Sequence, residues 1–269
     1  MSAFARRVAN LVGVPEQQIE RLAGGDLSEV LLVRRDDGND VVAKGGAGIA
    51  SEAAMLRALL AAGVPVPKIE AEHDAVLLLE HVANDSAFSP AAWRDVGRVI
   101  REMHGNLGEQ YGWPFDFRLG TVELDNRERT DWALFWGEQR LATTAAVLDR
   151  PWRDRVEHLV RRLPELLPPN PAASLLHGDL WSGNILVADG KLAALIDPAC
   201  YHGDAEVDLA MLALFAAPPP ELWETYGPLA EGWEERRPVY QLFPALVHLR
   251  LFGVAYAPMV DRLLRAIGF

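Results

Sequence analysis

An α+β fold in two lobes is what this 269-residue chain predicts. Three observations carry that. Short β-rich runs broken by Asp-Gly turns dominate residues 1–82, long segments of helical periodicity dominate 83–269, and the composition shifts between them at "ANDSAFSP". The first span is read as a small strand-rich N-terminal lobe, the second as a larger, mainly helical C-terminal lobe, with a cleft between.

Residues 1–12 read as an amphipathic helix with Phe4, Val8 and Leu11 on one side. A glycine turn at Gly24-Gly25-Asp26 precedes a run at Val30–Val33 and a second at 40–44. "DDGN" lies between these runs, and Asp-Gly flanked by β-rich segments signals a hairpin. In "ASEAAMLRALLAAGVPVP", Ser51 is placed to cap a helix whose first turn holds Glu52. Met55, Leu56, Leu59 and Leu60 recur at helical spacing; Gly63 stops the helix, and Pro65 and Pro67 prevent a restart. "KIEAEHDAVLLLEHV" reads as a strand pair turning at His73-Asp74.

Ser89-Pro90 then opens a helix with Trp93, Val96, Ile100 and Met103 on one stripe, ended by Gly105. "RTDWALFWGEQRLATTAAVL", "WRDRVEHLVRRLPELL", "EVDLAMLALF" and "VYQLFPALVHLRLFGVAY" are further helices. Among them sits a second hairpin, with strands at 185–187 and 192–196 joined through Asp189-Gly190.

Half of the residues are hydrophobic, enough for a sizeable core. Net charge is −12, from 26 basic and 38 acidic residues. A field of that sign repels phosphate backbones, so a nucleic-acid partner is not expected. It suits a cationic or neutral small molecule, or simply serves solubility. The single cysteine, Cys200, excludes an intrachain disulfide and CxxC zinc sites. The N-terminus has no apolar core long enough for a signal peptide, and the longest apolar run, around 209–217, is too short for a membrane span. A soluble cytoplasmic protein without membrane contact is expected; the oligomeric state is not fixed, with a monomer favoured.

The stretch "LLHGDLWSGNIL", 175–186, places a polar cluster just before the first strand of the second hairpin, and Asp197 follows the second strand. Hairpin ends lie side by side, which brings Asp179, Asn184 and Asp197 to one rim. Two carboxylates and an amide oxygen suit a hard cation; Asn184 and Asp197 are candidate Mg²⁺ ligands, with phosphates completing the shell. Asp179 has no basic partner in the local sequence and is free to accept the proton of an attacking hydroxyl. Asp-x-x-x-x-Asn is also the spacing of the protein-kinase catalytic loop. His177-Gly178-Asp179 stands where that loop has His-Arg-Asp, and Asp197-Pro198-Ala199 where a kinase has Asp-Phe-Gly. The same order calls for a strand lysine and a helix glutamate upstream, and Lys44 and Glu52 supply them for the phosphates of ATP. Gly24 and Gly25 would let backbone approach those phosphates, although they do not form GxGxxG. Glu80 to Val82 would connect the lobes and offer backbone groups to an adenine ring, or be an ordinary strand end.

Together "GGDLSEV", "VVAK", the Glu52 helix, "DWALFWGEQRL", "HGDLWSGNIL" and "IDPACYHGDAEVDLAM" resemble the fructosamine kinase (ketosamine 3-kinase) family, a relative of aminoglycoside and choline kinases. The resemblance runs from about residue 24 to 212. It implies a protein-kinase-like fold, ATP with Mg²⁺, and phosphoryl transfer to a sugar hydroxyl of a ketoamine. It also implies Asp179 as the base, Asn184 and Asp197 as metal ligands, and Lys44 with Glu52 as the phosphate clamp. Trp181 would stack on the sugar or its amine, or else anchor the loop. Asp208 would bind a cationic amine or, the favoured role, accept hydrogen bonds from the catalytic-loop backbone that includes His177. Asp204 and Glu206 are taken as exposed candidates for an acidic acceptor wall. Asp26-Leu27-Ser28 stands where some members carry a glycine-loop cysteine, so redox control through that loop is not expected, and Cys200 reads as a small buried residue. An aminoglycoside or other amino-alcohol phosphotransferase is the alternative within the fold, and a nucleotide-binding pseudokinase scaffold is the alternative outside catalysis. Peptide phosphorylation is not expected, because no activation segment separates Asp197 from the next helix.

Overall fold

The computed structural model describes residues 2–22, 29–46, 48–73 and 75–269. Helix α1 (Ala3–Val12) is capped by Ser2, whose Oγ accepts the Ala5 N–H, and ends at Gly13 in the left-handed region. Its buried stripe runs through Ala5, Val8 and Ala9, with Val12 packed alongside. Leu11, expected on that stripe, falls off this i, i+3, i+4, i+7 face and is exposed.

An antiparallel sheet follows in the order β1-β2-β3-β5-β4. Its strands are β1 (Ile19–Arg21), β2 (Val30–Val33), β3 (Val41–Gly45), β4 (Ile69–His73) and β5 (Val76–Glu80). The "DDGN" turn joins β2 to β3, with Val33 opposite Val41. Helix α2 (Ile49–Ala61) starts from Gly48, so Ser51 lies inside its first turn and is not the cap. The start is set by Ile49, which is buried with Ala53, Leu56, Leu77 and Leu79. Along β5 the residues alternate: Val76 and Leu78 pack in the α1 cluster, Leu77 and Leu79 face α2. The unbroken apolar run of β5 is therefore that of a strand covered on both faces.

The remaining chain is mainly helical. Ser89 caps α3 (Pro90–His104), with Pro90 at its first turn and Val96, Ile100 and Met103 fully buried. A short hairpin, β6 (Phe117–Leu119) with β7 (Val122–Leu124), comes next. Helix α4 (Trp132–Trp136) runs through a wide turn, Gly137–Ala142, into α5 (Thr143–Ala145). There the fully buried Arg140 stacks over the Phe135 and Tyr201 rings at 4.6 and 4.3 Å. It donates to the Asp125 carbonyl and to Asn126 Oδ1, tying the segment after β7 to the core.

After α6 (Arg150–Leu166), strand β8 (Ser174–Leu176) pairs with the distant β11 (Tyr201–Gly203). Between them lies the hairpin of β9 (Ile185–Ala188) and β10 (Lys191–Leu195). Asp189 and Gly190 both have positive φ, 52° and 72°, as a two-residue type I′ turn requires. Two backbone bonds stitch this hairpin to earlier segments: Leu195 N–H to Pro65 O at 2.8 Å, and Asp85 N–H to Val187 O at 3.0 Å. Helices α7 (Glu206–Phe215), α8 (Pro220–Tyr226), α9 (Trp233–Phe252) and α10 (Ala257–Ile267) complete the fold. No helix among the described residues is long and apolar enough to cross a membrane.

Candidate active site

The loop after β8 is held from beneath. Asp208, fully buried in the first turn of α7, accepts the His177 N–H at 2.7 Å and the Gly178 N–H at 2.9 Å. His104 Nε2 reaches the same carboxylate at 3.2 Å, and Tyr226 bonds His104 Nδ1 at 3.0 Å. His177 Nε2–H donates to Ile196 O at 3.0 Å, and burial holds the imidazole below its ordinary pKa. Ala199 N–H donates to His177 O at 2.8 Å. Gly178 has φ +80°, and a Cβ there would lie 2.0 Å from Ala199 O. A protein-kinase arginine cannot occupy this position because the two backbones touch.

Above this support sits the rim. Ile196 N–H donates to Asn184 O at 3.0 Å, so the hairpin ends meet and Asp197 adjoins Asn184. Asn184 Nδ2 donates to the Asp179 carbonyl at 2.8 Å and to its Oδ2 at 3.1 Å. Burial pushes the Asp179 carboxyl up to about 6, with Asn184 opposing and the charges of Asp197 and Asp208 adding. Asp197 is exposed and held at φ 56°. Backbone strain of this kind gathers at functional sites. Across the cleft, the buried Lys44 ammonium on β3 bonds both Glu52 Oε1 and Asp197 Oδ1. Burial works against that charge, but the two carboxylates outweigh it and raise its pKa.

These groups line one open cleft of about 1640 Å³, bounded also by the β6–β7 hairpin and the end of α9. Trp181 stands half-exposed in it, its indole over Gly183 and its edge toward Phe215 at 6.0 Å. Lys44, Glu52, Asp179, Trp181, Asn184 and Asp197 are thus brought together. Glu80 and Val82 are not among the residues lining the cleft. Glu80 instead exchanges bonds with Lys68: its N–H donates to Lys68 O, and its carboxylate accepts the Lys68 N–H. Gly24 and Gly25 lie outside the described residues.

Asp204 and Glu206 correct an expectation: they are buried, not an exposed acidic wall. Tyr240 on α9 donates to Asp204 Oδ2 at 2.6 Å, and Arg236 grips Glu206 at 2.6 and 2.7 Å. Burial pushes the Asp204 carboxyl up to about 6. Both side chains are taken up by contacts with α9, and neither is among the residues lining the cleft. Four ring-bearing residues of the cleft went unrecognised in the sequence: Phe215, His248, Phe252 and Tyr256. The i, i+4, i+8 spacing of the last three was a signal for one shared face.

Asn184 and Asp197 fit Mg²⁺. The Asn184 amide oxygen and Asp197 Oδ2 bond no described residue, and both side chains line the cleft. Among the described residues no cluster of three His, Cys, Asp or Glu could hold a metal alone. A two-ligand site completed by phosphates is how this ion is commonly bound.

A strand lysine paired to a helix glutamate, facing an Asp–Asn–Asp rim, defines a phosphotransferase of kinase-like fold. An ADP-bound aminoglycoside phosphotransferase shares that fold, with TM-score 0.67, 14% identity and coverage of 99% of this chain and 98% of the other. The family model for fructosamine kinase matches residues 2–267, and the chain belongs to that family. A "probable ketoamine kinase" of Lactiplantibacillus plantarum is 33% identical over 271 residues, spanning 92% of this chain and 93% of the relative. A crystal structure from Thermobifida fusca, described as a "putative fructosamine-3-kinase", has TM-score 0.85 and 33% identity, covering 98% of each chain. The protein is an ATP-dependent phosphotransferase.

Proposed function

We propose that the chain transfers the γ-phosphoryl group of ATP to a sugar hydroxyl of a ketosamine, of fructosamine or ribulosamine type, in metabolite or protein repair in the cytoplasm. The observation that carries this is the joining of Lys44, Glu52, Asp179, Asn184 and Asp197 in one cleft. In this reading residues 1–82 clamp the nucleotide, and residues 83–269 supply catalysis and the acceptor site. Asp179 accepts the hydroxyl proton as oxygen attacks phosphorus, and Asn184 holds the carboxylate in place. Lys44, fixed by Glu52, neutralises phosphate charge. Asn184 and Asp197 would hold Mg²⁺, which when bound would supply charge neutralisation to the triphosphate. The family and the names of its relatives support a ketoamine acceptor.

Trp181→Ala is expected to raise the acceptor KM several-fold, about the worth of one cation–π contact, with the ATP KM nearly unchanged. Initial rates against each substrate check it; the reverse pattern would assign the indole to loop anchoring. Acceptor class is tested by kcat/KM over glycated amines, kanamycin-type aminoglycosides and choline. The ketosamine reading expects the glycated amines to lead, and fails if an aminoglycoside or choline does.

A further inference from the structure

Among the described residues four cations line the cleft: Lys44, Arg118, Arg127 and Arg250. Three are neutralised. Lys44 meets Glu52 and Asp197, Arg118 meets Glu123, and Arg127 meets Asp125 at 2.6 Å. The Arg250 side chain has no hydrogen bond, ion pair or ring contact with any described residue. It is half-buried, and burial pulls its guanidinium below the ordinary pKa, with no carboxylate among the described residues to offset it. In a chain of net charge −12 an unpaired, partly desolvated arginine is conspicuous. Withdrawing such a cation from water without a counter-charge costs free energy that a bound anion returns.

It stands on a different element from the phosphate clamp. Arg250 lies in the last turn of α9, whereas Lys44 lies on β3. Val247 and His248 of the same helix join Gly178 and Asp179 around a small second cavity. His248 packs against Phe215, Phe252 and Tyr256 at 5.0–5.4 Å between ring centres, and Phe215 meets Trp181. Arg250 lines the same cleft as this aromatic group and the hydroxyl-accepting carboxylate.

We propose that Arg250 binds an anionic group carried by the acceptor. A planar guanidinium suits carboxylate and phosphate alike through paired N–H donors. The group is then the carboxylate of a ketoamine formed on a free α-amino acid, or a phosphate ester on the sugar half. This rests on the ketoamine reading and deepens it: the preferred acceptors are small anionic adducts, recognised at both reacting hydroxyl and charged end.

The test compares three acceptors: the ketoamine of an α-amino acid, that of the corresponding amino-acid amide, and the amide adduct phosphorylated on its sugar. Each is assayed with the native protein, Arg250→Ala and Arg250→Lys. Arg250→Ala is expected to raise KM for one anionic acceptor about 10–100-fold, the worth of a charge-assisted hydrogen bond. The neutral amide adduct should hardly change, and lysine should restore part of the loss. Loss on the amino-acid arm identifies a carboxylate, and loss on the phosphorylated arm a phosphate. Equal shifts on all three arms, or none, overturn the proposal. Equal shifts with a lowered Tm would assign Arg250 to the helix end, where a last-turn cation is stabilising. A native protein that phosphorylates none of the three contradicts the ketoamine reading itself.

Discussion

Asp179→Asn should lower turnover by roughly 10²–10⁴-fold, the worth of a positioned base. The substitution keeps the shape of the side chain and one oxygen for Asn184, which holds Asp179 through both its carbonyl and its carboxylate. What it removes is the ability to accept a proton, because an amide nitrogen does not protonate near neutral pH. Nucleotide affinity should persist, since the phosphate side is held by Lys44 and Glu52. Single-turnover rates beside nucleotide titration separate the two effects. A variant with native turnover would remove Asp179 from the chemistry, and joint loss of binding and turnover would point to loop collapse.

Asp208→Ala should cost about 3–5 kcal/mol of folding stability, read by denaturant unfolding. Alanine strips the acceptor from the His177 and Gly178 N–H groups and from His104 around a fully buried position. Each stranded donor costs about 1–3 kcal/mol. The same loop carries Asp179, so turnover should fall as well. If the variant instead kept native stability and lost only acceptor affinity, Asp208 would be a substrate residue after all.

The fold and site were unevenly legible in the sequence, and the difference follows contact distance along the chain. The Asp189-Gly190 hairpin, the Ser89 cap and the β2–β3 turn are each fixed by residues within a few positions of one another, so local chemistry revealed them. The same holds for the Asp179–Asn184 loop. The β8–β11 pairing joins segments 25 residues or more apart and leaves no local mark. Asp204 and Glu206 looked like surface residues because their partners, Tyr240 and Arg236, stand 36 and 30 residues away. The β6–β7 hairpin was missed because three-residue strands of mixed polarity carry too little period to read. The hairpin ends closed through Ile196 N–H and Asn184 O, which places Asp197 next to that bond, and Lys44 arrived from the other side of the cleft across 153 positions. Only the order of motifs, not their spacing, could have indicated that last contact.

Phosphorus NMR of the native protein with ATP, Mg²⁺ and a ketoamine tests the central claim most directly, because it follows the γ-phosphoryl group itself. One new phosphate-ester resonance on the sugar should grow in step with ADP, one for one. ADP appearing with inorganic phosphate alone, or ATP persisting unchanged, would contradict phosphoryl transfer to the ketoamine.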